Sequence, residues 1–378
     1  MSAPTLHRTP VRRAAIALTA SASALALTAC GVVDGIAGSG GAASPTKGDD
    51  ITVGLLLPDK DTARFENFDY PIIKKGVATL THGKGTVVYA NAEASQEKQS
   101  RQLQELVDQK VDVILLDALD AKAIAPDVQK AKDAGIPVIA YDRLAQGPVS
   151  AYVSHDNEAV GEIQARAITE ALGSKSASRK IVMMNGDPAD TNYAKYKGGA
   201  LKEFDNKVQI AKAYDTDKWS PAVAKANMKK AIQAVGLDNI AAVYAANDGL
   251  AGAVIEALKE AGATKIPPVT GQDANLDAVQ RVVSGEQSMT VYKPFLDEAT
   301  HAAEMAVYMV QGHDIQFDAL TQDRVDSPTE KEIPSMLVPA VSLTTDNIKS
   351  TVIADGVYTV KDICTPKYAE DCAAIGLK

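Results

Sequence analysis

The chain has 378 residues, 46% of them hydrophobic and 23% charged, which excludes a disordered or collagen-like protein and requires a buried core. Aromatic residues make up only 5%, so the core must be built from Ala, Val, Ile and Leu, which suits α/β folds. The formal charge of −9 argues against nucleic acid, because outside the extreme N-terminus no run of Lys and Arg offers a basic face to phosphate.

Arg8, Arg12 and Arg13 precede an uncharged apolar run at 14–27, and Leu27-Thr28-Ala29-Cys30 follows. This order is that of a secretory signal. The run is too short for the roughly 20 residues a membrane-spanning helix needs. Small residues ahead of a cysteine resemble the bacterial lipobox, which implies cleavage after residue 29 and lipidation of Cys30. Residues 31–50, rich in Gly, Ala and Ser, read as a flexible tether with a reach of about 25 Å.

From Ile51 onward, apolar runs alternate with amphipathic stretches. Strands are expected at 51–58, 85–92, 111–119, 136–143, 151–156, 180–187, 208–216, 240–248, 267–273 and 288–294. The segments between them carry helical periodicity, among them 95–109, 157–173 and 275–284. Near-continuous Val, Ile and Leu in the strands indicates parallel sheets covered on both faces. The expected fold is α/β, with two doubly wound parallel-sheet lobes.

Ligands of open α/β sheets bind beyond the carboxyl ends of the strands. Here those ends carry Pro58-Asp59-Lys60-Asp61, Asp117, Tyr141-Asp142-Arg143, Asp187, Asp215, Asn247-Asp248, Gln272-Asp273 and Tyr292-Lys293. Asp and Asn at such places also cap the helices that follow, so each residue alone has two readings. As a ring, carboxylates that accept, cations that donate and amides that do both match the hydroxyls of a polyol. A sugar also needs an aromatic face for its C–H surface. Phe65 and Trp219, the latter the only tryptophan, follow strands closely enough to supply one, although either could belong to the core.

The segments ITVGLLLP…ARF, VDVILLDA, GIPVIAYDRL, SHDNEAVGEIQA, TNYAK, AANDGLAGAVIEAL, VTGQDANLDAVQRVVSGEQSMTVYKP and IPSMLVPAVSLTTDNIKSTVI resemble the D-xylose-binding protein family. These are type I periplasmic sugar receptors of ABC importers. The resemblance runs in order from about residue 51 to 357. It implies that Arg64, Asp142, Arg143, Asn247, Asp248, Asp273 and Lys293 form the network around sugar hydroxyls, with Trp219 as a stacking plane. Phe65 stands where relatives carry a tryptophan. Asn192 matches the end of a family Asp-Asn-Asn run whose first two positions are Asp190 and Thr191 here. His155 is expected at a crossover, in a structural role.

The resemblance also implies three crossings between lobes. One lobe then comprises 51–155 with 293–330 and the other 156–292 with 331–378, after the signal at 1–29 and the lipidated tether at 30–50. Closure around a monosaccharide, D-xylose or else glucose or arabinose, would present a shape to an ABC permease and its ATPase. The expected protein is a monomer, held to the membrane by its lipid, with no cofactor and no metal.

Cys364 and Cys372 lie eight apart outside the cytoplasm and are expected to pair. Two other functions fit part of these features. A sensor lipoprotein could present the same sugar to a membrane kinase or chemoreceptor, and a secreted glycosidase would use two of the carboxylates. Against catalysis, the sequence has no phosphate loop and no G-x-S-x-G turn, and its five histidines lack zinc-ligand spacing.

Overall fold

The computed structural model describes residues 46–60, 62 and 64–378. The signal, Cys30 and nearly all of the tether lie outside them. In chain order the strands are β1 (Thr52–Leu57), β2 (Thr86–Asn91), β3 (Val113–Leu116), β4 (Val138–Tyr141), β5 (Ala151–His155) and β6 (Lys180–Met184). They continue as β7 (Gln209–Tyr214), β8 (Ala242–Ala245), β9 (Thr290–Tyr292), β10 (Asp323–Val325), β11 (Ile333–Val338) and β12 (Val341–Leu343).

The first lobe holds a seven-stranded sheet in the order β10-β11-β5-β4-β3-β1-β2. Its central strands are parallel and apolar on both faces; β3 and β4 are buried at every residue. That double burial follows from helices on either side, which split the core into two clusters, one around Leu55, Val77 and Met305 and one around Leu56, Leu103 and Val128. The second lobe is built on β7-β6-β8. Single bridges at Val243–Val269 and Gln272–Val291 extend it towards the antiparallel pair β9-β12.

Three passages join the lobes, as expected: from β5 into the helix Asn157–Leu172, from β9 into the helix Phe295–Gln311, and from β11 to β12. The third differs in position from the sequence reading. Residues 333–338 were expected in the second lobe, but β11 pairs in parallel with β5 of the first, so the chain crosses at Pro339-Ala340 and not near 330. The expected strand at 267–273 is also reduced to two isolated bridges. Two short antiparallel pairs, β10-β11 and β9-β12, finish sheets that the apolar pattern describes as parallel throughout.

In the second lobe the helices Asn157–Leu172 and Thr191–Phe204 cross in near-backbone contact. A Cβ on Gly161 would lie 2.0 Å from the carbonyl oxygen of Tyr196, and one on Gly199 would lie 2.0 Å from that of Glu158. This close crossing fixes the start of the second helix, which carries Asn192 and Tyr196 to the inter-lobe face. Beyond β12, residues 344–378 wrap onto the helix Leu276–Val283, and Cys364 and Cys372 are joined, with Cα atoms 5.9 Å apart. Among the described residues no helix is long and apolar enough to cross a membrane.

Candidate functional site

The strand ends of both lobes face one cleft of about 1220 Å³. Arg64, Phe65, Asp142, Arg143, Asn192, Trp219, Asn247, Asp273 and Lys293 all line it. Most of the polar strand ends are therefore brought together, but Asp117 and Asp215 do not line the cleft.

Asp142 stands at its centre, immediately after β4. Its φ of 56° is left-handed, a conformation that costs a non-glycine residue of order 1–3 kcal/mol and persists only where the surroundings impose it. Tyr152 Oη and Ser154 Oγ donate to its carbonyl oxygen at 3.0 and 2.7 Å and hold it there. The carboxylate accepts from Arg64 Nη2 at 2.6 Å and from Asn192 Nδ2 at 2.9 Å. The second bond crosses between lobes, and Asn157 Nδ2 steadies Asn192 by donating to its Oδ1 at 2.9 Å. Burial pushes the Asp142 carboxyl upward, but Arg64, Lys293 and Arg143 outweigh it and hold the pKa at about 2. Asp142 thus stays an acceptor throughout the physiological range.

Arg64 contacts three carboxylates, adding Glu298 Oε2 at 3.0 Å and Asp69 Oδ2 at 3.1 Å to Asp142. Arg143 lies 3.3 Å from Asp190 and 3.6 Å from Asp117. Lys293 pairs with Asp273 at 2.7 Å. Burial disfavours the charge on Arg143 and on Lys293, but Asp190 and Asp273 respectively reverse its effect and keep both cations charged. Asp273, like Asp142, is left-handed, with φ of 95°.

Trp219 closes a turn, Asp217–Trp219, ahead of the helix Pro221–Val235. Its indole Nε1 donates to Asp190 Oδ2 at 3.1 Å, and its ring meets Tyr196 edge-on at 6.3 Å. The plane lies against Gly186, where an added Cβ would come within 2.1 Å of the ring. Across the cleft, Phe65 is buried in the irregular turn Phe65–Asp69, with the Arg64 guanidinium 5.3 Å from its centroid.

The capping and binding readings of the polar ring turn out to be compatible. Asn247 Oδ1 caps its helix through Leu250 N at 2.9 Å, and Asp190 Oδ1 caps Asn192 N at 2.8 Å, while both residues still line the cleft. Asp248 is the exception among the expected site residues. It is 1% exposed, does not line the cleft, and spends its oxygens on Gln287 Nε2, Thr290 Oγ1 and Asn275 N at 2.8–2.9 Å. Burial, aided by the charge of Asp273, raises its pKa to about 8. Asp248 therefore anchors the loop that presents Asp273.

The sequence reading missed Asp69, Glu298 and Tyr196. Only Tyr196 left a signal, its spacing of four from Asn192 on one helix face. His155 is buried and outside the cleft lining, 3.6 Å from Glu298 Oε2. Among the described residues no cluster of His, Cys, Asp or Glu is arranged to hold a metal ion.

A family profile described as periplasmic binding protein domain matches residues 53–314. The chain belongs to that family. It is 30% identical over 321 residues to the D-xylose-binding periplasmic protein of Escherichia coli, covering 83% of this chain and 93% of the relative. The protein of the same name from Haemophilus influenzae is 32% identical over 320 residues, 83% of this chain and 92% of the relative. An ABC transporter solute-binding protein from Clostridium phytofermentans, solved with bound β-D-glucose, superposes with a TM-score of 0.74 at 27% identity, covering 82% of this chain and 99% of the other. Family membership and the two-lobed architecture agree with each other, and this is a family of binding proteins, not enzymes.

Proposed function

We propose that the protein is the extracytoplasmic receptor of a sugar ABC importer, and that it encloses one neutral monosaccharide between its lobes. The observation that carries this reading is the charge pairing of the cleft wall. Arg64 and Lys293, which are buried, and Arg143, which is partly buried, each face at least one carboxylate, and the fourth lining cation, Lys218, is exposed to solvent. Among the described residues no buried cation of the cleft is left over for a sugar acid or a phosphorylated sugar, while hydroxyls can both accept from and donate to such paired groups. Asp142, Asp273, Asn192 and Asn247 are assigned the hydroxyl contacts, with Phe65 and Trp219 as the apolar planes.

D-xylose is the proposed ligand, supported by the two relatives that bear its name. Xylopyranose and glucopyranose share their ring hydroxyl pattern and differ by one CH₂OH, so the glucose complex of the solved homologue is consistent with the same cleft chemistry. The single tryptophan lines the cleft, which makes intrinsic fluorescence a direct test. D-xylose is expected to give a saturable change in Trp219 emission, with weaker responses to glucose and arabinose. A flat response to every neutral monosaccharide would remove the proposal.

Cys30 is the proposed lipidation site, on the grounds of the sequence around it. Radiolabelled palmitate should enter the native protein and not Cys30→Ser, and equal labelling of the two would exclude this anchor.

A further inference from the structure

Around Arg64, six buried polar atoms make no hydrogen bond of good geometry among the described residues, although Tyr141 faces Asp69 and His155 faces the Pro294 carbonyl. The six atoms are Arg64 Nε, both carboxylate oxygens of Asp69, Glu298 Oε1, the Tyr141 hydroxyl and His155 Nε2. Interiors seldom leave so many polar atoms unmatched in one place. Arg64 Nε lies 3.1 Å from Asp69 Oδ2, close enough for an ion pair but without the alignment of a hydrogen bond.

The charges do not balance either. Three carboxylates from separate elements converge on one guanidinium: Asp69 from the turn after β1, Asp142 from the end of β4, and Glu298 from the first turn of the helix Phe295–Gln311. Asp69 and Glu298 are both fully buried. With all three ionised against one guanidinium, the fully buried Asp69 and Glu298 would both be charged while Arg64 is shared with Asp142, which is costly. Lys293 and Arg143 act on Asp142 as well, but both are shared with carboxylates outside the group. Lys293 is paired with Asp273, Arg143 with Asp190, and Tyr141 is neutral. His155 is kept uncharged by burial and by Lys293 and Arg64.

We propose that Asp69 and Glu298 together form a one-proton site behind the sugar site, that this site is partly filled in the ligand-free protein at neutral pH and filled when sugar binds, and that both are positioning residues for Arg64. The inference rests on the cleft being a sugar site. Closing the cleft drives water from the face of Asp142 and Arg64, which makes the inner negative charge costlier and draws a proton in. Burial, working against Arg64, already lifts Asp69 to about 6, and burial lifts Glu298 well above the ordinary carboxyl range. Because the bound state holds more protons than the free one, affinity rises as pH falls from about 7 to 5, by at most tenfold per pH unit for one proton.

Calorimetry near pH 6 in buffers of different ionisation enthalpy, with the neutral sugar that changes Trp219 emission, measures the proton directly. We expect the native protein to take up as much as one proton per sugar bound, and Glu298→Gln and Asp69→Asn to lose that uptake along with the pH dependence of affinity. Zero exchange in the native protein, or undiminished exchange in both variants, overturns the proposal. Infrared difference spectra of the ligand-free protein at pH 5, where the site is filled without sugar, serve as the second arm: the native-minus-variant spectrum should show the C=O band of a protonated carboxyl. A missing band overturns the proposal even if no sugar binds, whereas a present band without sugar binding would indict the sugar assignment alone. Should neither variant fold, the native buffer series still decides.

Discussion

Replacing Trp219 with alanine is expected to weaken sugar binding by about 2–4 kcal/mol, roughly 30- to 900-fold in Kd, while the unfolding midpoint stays nearly unchanged. The indole is a platform set by backbone, since Gly186 lies so close beneath it that even a methyl group would collide. Its Nε1 also satisfies Asp190, which Arg143 shares. Truncation therefore removes the apolar plane and loosens the carboxylate that orients a second cleft cation. Stability should change little because the residue sits in a surface turn, only partly buried against the second-lobe core. Trp219→Phe, which keeps a plane and loses the donor, should fall between the two. Calorimetry supplies the affinities, and an alanine variant within threefold of the native protein would show that this ring does not face the sugar.

Arg64→Met is expected to have the largest effect on stability, a loss of about 3–5 kcal/mol, because it leaves buried carboxylates without their counter-ion. The methionine roughly preserves the stem and so separates charge loss from cavity formation. The expected pH dependence has a definite sign. Without the guanidinium, the folded-state pKa values of Asp69 and Glu298 lie above their unfolded values, so the folded variant binds more protons than the unfolded chain. Its stability is then greatest below the unfolded carboxyl pKa of about 4 and falls as pH rises through the folded values. Urea unfolding of native and variant protein at pH 4.5 and pH 7.5 should show the gap between them widening with pH. A constant gap would mean that Arg64 acts through packing and not through charge.

Much of the architecture is legible in the residues because parallel strands covered on both faces must be apolar at nearly every position. Runs such as Val113–Leu116 and Val138–Tyr141 have few alternatives. The short strands β10 and β12 have three residues each and mixed exposure, which leaves no periodicity to detect. The third crossing is hard to place from sequence because Ile333–Leu343 reads as one apolar stretch, and its two prolines, Pro334 and Pro339, do not single out the crossing point.

At the site, residues at strand ends could be found because the topology itself gathers them. Asp248 sits beside Asn247 in the chain and shares its chemistry. In space the two diverge at the start of their helix, Asn247 towards the cleft and Asp248 into the packing against Gln287 and Thr290. Asp69 and Glu298 lie in helical segments with unremarkable neighbours, and only folding brings them to Arg64. The left-handed backbone at Asp142 and Asp273 has no sequence signature either, as neither position is glycine.

The central claim, a neutral sugar held by paired charges from both lobes, is tested most directly by calorimetric titration of the purified protein. D-xylose, D-glucose, L-arabinose, D-xylonate and xylose 5-phosphate would be compared under one set of conditions. The account predicts one saturable site per chain for at least one neutral pentose or hexose and no measurable heat from either anion. Binding of an anion in preference to every neutral sugar would show that the cations of the cleft are free for a ligand's charge, and would contradict it.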